Sequence, residues 1–339
     1  MHDLHGGNIY THSVKLDFSA NINPLGTPEG ILRAVTATAD QWAHYPDPSC
    51  RVLSVALSER EGYPAEHIVC GSGADDLLFR IAYAFRPKTA LIAEPCFGEY
   101  RRALEASGCQ VLSHRGQKPA FFALSEAIFS EIEKKPDMIL LCTPNNPTGR
   151  LIAPALLDAI AKKCEALGIL FVLDICFLSL TKAHAQPLPR TAILVNAFTK
   201  SHAIPGLRIG YALCPDAKTA QRIREQGQFW TVSTPAQAAG LAALQEDAYL
   251  ENARTLIAEE RQYLAENLAA IGCTVCPSDA SFLLFQSEPG LADRLLGQGI
   301  LIRSCANFAG LDDTWYRIAV RTRPENETLL QAMCPILRP

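Results

Sequence analysis

Short apolar runs alternate with helical patterns through most of the chain. The runs predict strands starting at Ile68 and over residues 89–94, 110–113, 138–143, 169–174, 192–198 and 209–214, and the helical patterns cover residues 29–40, 49–61, 98–107, 124–133 and 153–166. Near-continuous apolar strands with helices between them are typical of a mostly parallel sheet that helices cover on both faces. Ligands of such sheets bind beyond the carboxyl ends of the strands, so we expect the functional residues there.

The pattern changes in the last third of the chain. A long helical segment over residues 247–271 places Ile257, Leu264 and Leu268 at helical spacing. Strands follow at residues 273–276, 282–286, 300–303 and 316–321, with helices near residues 291–297 and from Glu325. We therefore predict an α/β protein with three parts, an N-terminal arm (1–28), a large domain (29–246), and a connector helix with a small α+β domain (247–339). The Gly, Pro and Asn residues of the arm predict irregular structure that either frays or lies across a site.

Composition narrows the class of protein. With 339 residues and 48% hydrophobic content the chain can bury a large core and a smaller second one. A net charge of −4 without a basic run argues against nucleic acid as a partner. No apolar stretch reaches the roughly 18 to 20 residues that span a bilayer, and the polar N-terminus is not a signal peptide. The twelve cysteines are scattered along apolar segments, which predicts reduced thiols in a cytoplasmic protein. Cys273 and Cys276 have no second ligand pair, so we expect no metal site.

The segment from Asn196 to Gly210 carries the strongest chemical signal. An apolar run ends at Phe198, Thr199 and Lys200 follow it, and Arg208 precedes the next strand. This segment resembles the Schiff-base segment of fold-type I pyridoxal-phosphate enzymes. Desolvation lowers the pKa of a lysine and makes its amine nucleophilic, and the planar fork of an arginine suits a phosphate. A surface lysine after a buried strand would show the same spacing.

Other strand ends carry matching groups. Asp174 ends a wholly apolar strand, where a carboxylate needs a cationic partner such as a protonated pyridine nitrogen. Asn146 lies in the turn Asn-Asn-Pro-Thr-Gly, and Phe97 stands at a strand-to-helix turn, where it can stack on a ring. The glycine turn that contains Gly73 and Ala74 starts a helix and offers free backbone N–H groups to an anion. Taken singly, Asp174 would also fit as a strand-end cap and Phe97 as core packing.

The order of these motifs along the chain resembles the histidinol-phosphate aminotransferase branch of fold-type I enzymes. Three further strings, at residues 5–8, 17–26 and 300–321, resemble the L-threonine O-3-phosphate decarboxylases of cobalamin biosynthesis. The resemblance covers essentially the whole chain. It implies a fold-type I enzyme that decarboxylates L-threonine O-3-phosphate to (R)-1-amino-2-propanol O-2-phosphate with pyridoxal 5′-phosphate as cofactor, in a homodimer with shared active sites.

The resemblance also implies the roles of individual residues. Lys200 would bind the cofactor as a Schiff base and move the proton, and Asp174 would pair with the pyridinium. The remaining cofactor contacts would be Asn146 on the phenolic oxygen, Phe97 on the ring, and Gly73, Ala74, Thr199, Arg208 and Tyr45 of the other subunit on the phosphate. Arg317 would hold the substrate carboxylate, and His5, Gly6, Asn21 and Arg303 would hold the substrate phosphate. Two separate cationic sites suit a substrate with two anionic groups.

Some residues depart from the family pattern, and some alternatives stay open. Ser72, Ile175, Cys176 and Ala197 replace residues that are usual in the family, which puts cofactor affinity and the choice between threonine and serine phosphate in doubt. Arg321 suits either anion site or only solubility. The alternatives are an aminotransferase of histidinol phosphate or a similar phosphorylated amine, a decarboxylase of L-serine O-phosphate, and a binder that has lost the chemistry.

Overall fold

The computed structural model describes residues 5–337. The polar residues before His5, which argued against a signal peptide, lie outside this range. The described strands are β1 Leu16–Asp17, β2 Ile68–Gly71, β3 Thr89–Glu94, β4 Gln110–Arg115, β5 Met138–Cys142, β6 Leu170–Asp174, β7 Ile193–Ala197, β8 Gly210–Leu213, β9 Thr274–Val275, β10 Phe282–Gln286, β11 Ile300–Leu301, β12 Arg303–Ser304 and β13 Trp315–Ala319. The helices are α1 Glu29–Thr36, α2 Arg51–Glu61, α3 Ala74–Phe85, α4 Gly98–Ala106, α5 Phe129–Ile132, α6 Pro154–Leu167, α7 Phe198–Ser201, α8 Ala217–Arg224, α9 Thr234–Ala243, α10 Asp247–Ala270, α11 Leu291–Leu296 and α12 Arg323–Leu337.

A seven-stranded sheet forms the centre of the molecule, in the order β2-β8-β7-β6-β5-β3-β4. Its strands run parallel except β8, which is antiparallel to both neighbours. Every residue of β5 is buried, and its side chains alternate between the two cores on either side of the sheet, with Ile139 in one and Leu140 in the other. Burial on both faces explains why the strands read as continuous apolar runs. The predicted mostly parallel sheet is confirmed.

A four-stranded antiparallel sheet, β12-β13-β10-β9, packs against a separate core. That core joins β10 and β13 to α10 and α12 through Leu264, Phe285, Ile318 and Met333. The predicted elements of this region are present. The domain boundaries at residues 28 and 246 stay a prediction.

The N-terminal arm differs from the prediction of irregular structure. Leu16 and Asp17 form a strand that pairs parallel with β11, and the fully buried Phe18 continues into the small sheet. Its N–H donates to Leu301 O at 2.8 Å, and Ala319 N–H donates to Phe18 O at 2.8 Å. The expectation of an irregular arm is wrong here because Leu16 and Phe18 alternate with polar residues, a pattern of period two that suits a half-buried strand.

Several helices also differ from the predicted bounds. The first helix ends at Thr36 rather than near residue 40, and the predicted helix over residues 124–133 is a 3₁₀ turn, Glu126–Ile128, followed by the single turn α5. Sequence analysis predicts no helix at the positions of α8 and α9. Asp216 and Ser233 cap their N-termini by accepting bonds from Thr219 N–H and Ala236 N–H, which is a signal that sequence reasoning can use.

Candidate active site

A cavity of about 790 Å³ lies at the carboxyl ends of β3, β5, β6 and β7, between the large sheet, the arm and the small sheet. Most of the residues singled out from sequence line it, namely His5, Gly6, Asn21, Ala74, Phe97, Asn146, Asp174, Thr199, Lys200, Arg208, Arg303 and Arg317. The chain therefore brings together residues that are up to about three hundred positions apart in the sequence. Gly73 adjoins the cavity, and Tyr45 lies elsewhere.

Lys200 lies on the short helix α7, directly after β7. Burial and the nearby charge of Arg317 lower the pKa of its amine to about 8. Desolvation disfavours the charged form of a lysine, so the neutral nucleophilic amine is well populated near pH 8. Lys200 thus has the ionisation that attack on an aldehyde requires.

Asp174 ends β6 and is 5% exposed. Its carboxylate accepts a bond from the Tyr100 hydroxyl on Oδ2 at 2.7 Å and from Cys176 N–H on Oδ1 at 2.9 Å. Burial raises the pKa of this carboxyl, and hydrogen bonds from Tyr100 and from the backbone and thiol of Cys176 oppose that rise. The backbone part of the Cys176 contact does not depend on the side chain, so the departure from the family pattern at that position keeps it. A cation facing Asp174 in the cavity would favour the ionised form further.

The turn before α3 and the side chain of Arg208 form a cradle for an anion. Gly73 has φ +88°, and a Cβ placed on it would lie 2.7 Å from Arg208 Nη2. Only glycine leaves that space, and it does so at a backbone conformation that other residues rarely adopt. Arg208 Nη2 also donates to Ser72 O at 3.4 Å, so the Ser72 departure contributes its backbone here. The first N–H groups of α3 lack intrahelical partners and, with Arg208, suit a phosphate.

Arg317 is buried in β13 and faces the cavity, with 6% of its surface exposed. Its Nη1 donates to Asn146 Oδ1 at 2.5 Å and its Nη2 to Ser19 O at 2.8 Å, while its Nε has no partner among residues 5–337. Within the described residues no carboxylate forms a salt bridge with it. Burial lowers the pKa of its guanidinium to about 10. A buried cation without an anionic partner is costly, which indicates that an anion binds there.

Arg303 on β12 lies directly opposite Arg317 in the antiparallel register. Arg303 Nη2 donates to Asn307 Oδ1 at 2.6 Å, and its guanidinium lies 5.3 Å from the centre of the Phe308 ring. Like charges opposite each other destabilise a sheet. Two arginines at one edge of the cavity are therefore better explained by negatively charged groups on a ligand than by folding.

The first described residues close the cavity from the arm side. Gly6 passes so close to the arm strand that a Cβ on it would lie 2.2 Å from Ser19 O. Gly7 N–H donates to Ser19 Oγ at 2.7 Å, and His5 Nε2 lies 2.8 Å from Glu99 Oε1. Asn21 is buried, and its Oδ1 has no hydrogen-bond partner in the described part of the chain.

Phe97 caps the N-terminus of α4 and lines the cavity. Its ring centroid lies 5.6 Å from that of His5 and 5.6 Å from that of Tyr100. The Phe97 ring therefore forms part of the cavity wall and does not only pack the core. It presents a surface on which a flat ligand can stack.

Tyr45 does not reach the cavity of its own chain. It is 77% exposed, and its ring stacks on Trp230 with the centroids 4.2 Å apart. Phe229 is also exposed and meets Trp230 edge to face at 5.1 Å, so this face carries a patch of aromatic side chains, Tyr45, Phe229 and Trp230. Arg321 does not line the cavity either, because its guanidinium pairs with Glu325.

Sequence reasoning missed several residues of the site. Tyr100, Glu99, Ser19 and Asn307 contact the predicted residues, but none was assigned a role, although Ser19 and Asn307 lie within the strings 17–26 and 300–321. Tyr100 had one usable signal, since it follows Phe97 by three positions at the start of a helix and so faces the same side. The contacts of Ser19 and Asn307 depend on tertiary packing and have no local signal.

The chain matches known proteins along nearly its full length. The family model "Aminotransferase class I and II" matches residues 13–333. The chain is 37% identical to threonine-phosphate decarboxylase of Salmonella typhimurium, over 98% of this chain and 96% of that protein. Among solved structures, histidinol-phosphate aminotransferase from Clostridium acetobutylicum superposes with a TM-score of 0.88 at 28% identity, over 95% of this chain and 99% of that chain. L-Threonine-O-3-phosphate decarboxylase from Porphyromonas gingivalis superposes with a TM-score of 0.83 at 26% identity, over 96% of this chain and 100% of that chain.

Proposed function

The chain belongs to the class I and II aminotransferase family, and from this premise we propose that it decarboxylates L-threonine O-3-phosphate to 1-amino-2-propanol phosphate. Its fold is that of fold-type I enzymes, and its cofactor is pyridoxal 5′-phosphate. The product would serve the nucleotide loop of cobalamin, as the sequence resemblance implies.

The residues of the cavity fit this cofactor. Lys200 supplies an amine with a lowered pKa for the aldehyde, and Asp174 supplies a buried carboxylate for the ring nitrogen. The cradle of Gly73 and Arg208 leaves room for a phosphate where a larger residue than glycine would clash. Lys200, Asp174 and the cradle thus match the aldehyde, the ring nitrogen and the phosphate of the cofactor.

When bound, pyridoxal phosphate acts as an electron sink that makes a bond at the substrate Cα labile. The residues of this chain decide which bond that is. Arg303, Asn21 and His5 would hold the substrate phosphate on the arm side, and Arg317 would hold the carboxylate. With both anionic groups fixed, the orientation of Cα is set. Lys200 Nζ would then return a proton to Cα after CO₂ leaves.

The observation that carries the proposal is the pair of arginines at one cavity edge. Among residues 5–337 Arg317 is a buried cation without a carboxylate partner, and Arg303 lies opposite it in register. A substrate with a carboxylate and a phosphate neutralises both arginines at once, whereas an aminotransferase would use them in turn for histidinol phosphate and for a 2-oxo acid. The higher identity to a threonine-phosphate decarboxylase, 37% against 28% to a histidinol-phosphate aminotransferase, favours the phosphorylated amino acid.

The test is a product analysis without any 2-oxo acid. Purified holoenzyme is incubated with L-threonine O-3-phosphate, and CO₂ and amino-alcohol phosphate are measured together. We expect equal amounts of both, and Lys200→Ala should form neither. The kcat/KM for L-serine O-phosphate, which lacks one methyl, should be comparable to that for L-threonine O-3-phosphate or lower by about 10- to 200-fold. Turnover that requires 2-oxoglutarate and retains the carboxylate would refute the decarboxylase and support the aminotransferase.

We also propose a homodimer in which Tyr45 contacts the cofactor phosphate of the other subunit. The exposed patch of Tyr45, Phe229 and Trp230 supports an interface on this face. Mixing Lys200→Ala with Tyr45→Phe subunits should give heterodimers with one intact site and activity above that of either parent. Activity no higher than the parents would place Tyr45 at its own site.

The proposed compartment is the cytoplasm. None of the twelve cysteines forms a disulfide, which agrees with a reducing environment. Within residues 5–337 no helix is both long and apolar enough to cross a bilayer.

A further inference from the structure

Tyr100 connects two residues of the site that no sequence motif joins. It is 1% exposed on α4 and lines the cavity. Its hydroxyl donates to Asp174 Oδ2 at 2.7 Å. Its ring meets that of Phe97 edge to face, at 5.6 Å between centroids and 83° between planes. One side chain therefore touches both the carboxylate and the aromatic surface assigned to the cofactor ring.

The surroundings of Asp174 make this hydroxyl important. Burial raises the pKa of Asp174, and the titratable groups that face it are Tyr100 from α4, Cys142 from β5, Cys176 after β6 and Asp75 from α3. None of these is a cation. Tyr100 on Oδ2 and the backbone N–H of Cys176 on Oδ1 are thus donors by which the chain itself favours the ionised carboxylate, and the Cys176 thiol adds to them.

The two hydrogen bonds also fix the direction of the carboxylate. A donor on each oxygen stops rotation of the group about its last side-chain bond. The remaining lone pairs can then accept from a third donor in a defined direction. The backbone also contributes, since Tyr100 N–H donates to Phe97 O at 3.2 Å at the start of α4.

We propose that Tyr100 is a positioning residue of the cofactor site, which holds the Asp174 carboxylate ionised and oriented towards the ring nitrogen and holds the Phe97 ring against the ring face. The proposal rests on the proposed function, because it presupposes pyridoxal phosphate in the cavity. Tyr100 acts through Asp174 and Phe97 and takes no part in bond breaking.

The test measures cofactor affinity rather than activity. Apoprotein of the parent and of Tyr100→Phe is titrated with pyridoxal phosphate and with its 1-deaza analogue, in which CH replaces the ring nitrogen. Tyr211→Phe is the matched control. Tyr211 is also buried and donates to a carboxylate, Glu61 Oε1, at 2.7 Å, but it does not line the cavity.

We expect Tyr100→Phe to bind pyridoxal phosphate about 10- to 150-fold more weakly, because a hydrogen bond to a charged group is lost. Its affinity for the deaza analogue should be unchanged, since that analogue has no pyridinium. The deficit should shrink as pH rises from 6 to 9, because the pKa of Asp174 rises further without its donor and a higher pH restores the ionised form. Tyr211→Phe should follow the parent with both ligands.

Other outcomes would overturn the proposal. Equal affinities of Tyr100→Phe and the parent for pyridoxal phosphate would show that the hydroxyl is not needed. An equal loss with both ligands, a loss shared by Tyr211→Phe, or an apoprotein that is unfolded by circular dichroism would assign Tyr100 a structural role only. A parent protein that binds neither ligand would instead refute the proposed function.

Discussion

Replacing Arg317 by Met is expected to weaken substrate recognition strongly and to change the stability of the apoprotein only slightly. Arg317 is buried and positively charged, and it has no carboxylate partner among residues 5–337. Methionine fills a similar volume and carries no charge. The substitution therefore removes a group that the fold tolerates only because a ligand uses it.

The structure gives the magnitude. A pKa lowered from 12.5 to about 10 corresponds to about 3 kcal/mol of folding free energy that is lost by burying the charge. Because burial depresses the pKa of this cation, the loss is fully present at every pH below about 10. Methionine removes this cost, but it also removes the hydrogen bonds that the charged guanidinium donates to Asn146 and Ser19, worth about 1.5 to 3 kcal/mol each. The melting temperature of the apoprotein should thus stay the same or fall by up to about 6 °C.

Catalysis should respond more strongly than stability. Hydrogen bonds to a charged group contribute about 1.5 to 3 kcal/mol, so kcat/KM for L-threonine O-3-phosphate should fall about 10- to 150-fold. The assays are differential scanning fluorimetry of the apoprotein and CO₂ release at several substrate concentrations. Arg321→Met is the matched control, since Arg321 pairs with Glu325 outside the cavity and should leave kcat/KM unchanged. A kcat/KM within threefold of the parent, or a melting temperature lower by more than about 8 °C, would refute the reasoning.

Three further expectations follow from the same geometry. Apoprotein should capture pyridoxal phosphate faster as pH rises through about 8, because burial lowers the pKa of Lys200 to that value and only the neutral amine attacks; a rate followed by visible absorbance that is flat between pH 6 and 8 would contradict this. Gly73→Ala should weaken cofactor binding, since the added Cβ would lie 2.7 Å from Arg208 Nη2, and the φ of +88° should lower stability by about 1 to 3 kcal/mol; equal dissociation constants of folded variant and parent would show that the cradle does not hold the phosphate. Arg303→Ala and Asn21→Ala should raise KM for the phosphorylated substrate by about 10- to 150-fold with little change in cofactor affinity; loss of cofactor as the main effect would move both residues to the cofactor phosphate.

The parts of the fold that depend on local pattern could be predicted from the sequence. The strand Met138–Cys142 is buried along its whole length, so its apolar run was sufficient to place it. Lys200 and Asp174 each follow or end such a strand, and parallel strands bring their carboxyl ends to one edge. The position of both residues at one edge of the sheet could therefore be predicted from the sequence.

Features set by distant contacts could not be predicted in the same way. The hydrogen bond between Arg317 and Asn146 joins positions separated by 171 residues, and neither side chain has a local signal for the other. The strand at Leu16 was missed because its period-two pattern spans only four residues, Leu16 to Ser19, and because neighbouring Gly and Asn residues favour turns. In the sequence Tyr100 looks like an ordinary aromatic residue of a helix, and its contact with Asp174 is known only from the folded structure.

The arm strand has a consequence for how the chain is made. Ser19 and Arg317, which meet at the cavity, are 298 positions apart. At about 5 to 20 residues per second of synthesis, the arm emerges from the ribosome about 15 to 60 seconds before its partner strand. Protease pulses on stalled nascent chains should therefore cut near Phe18 until β13 has emerged, and early protection would mean that the arm finds another partner. During translation, the large sheet is complete long before the substrate end of the site exists, so a growing chain can acquire its cofactor residues while its substrate contacts are still unmade.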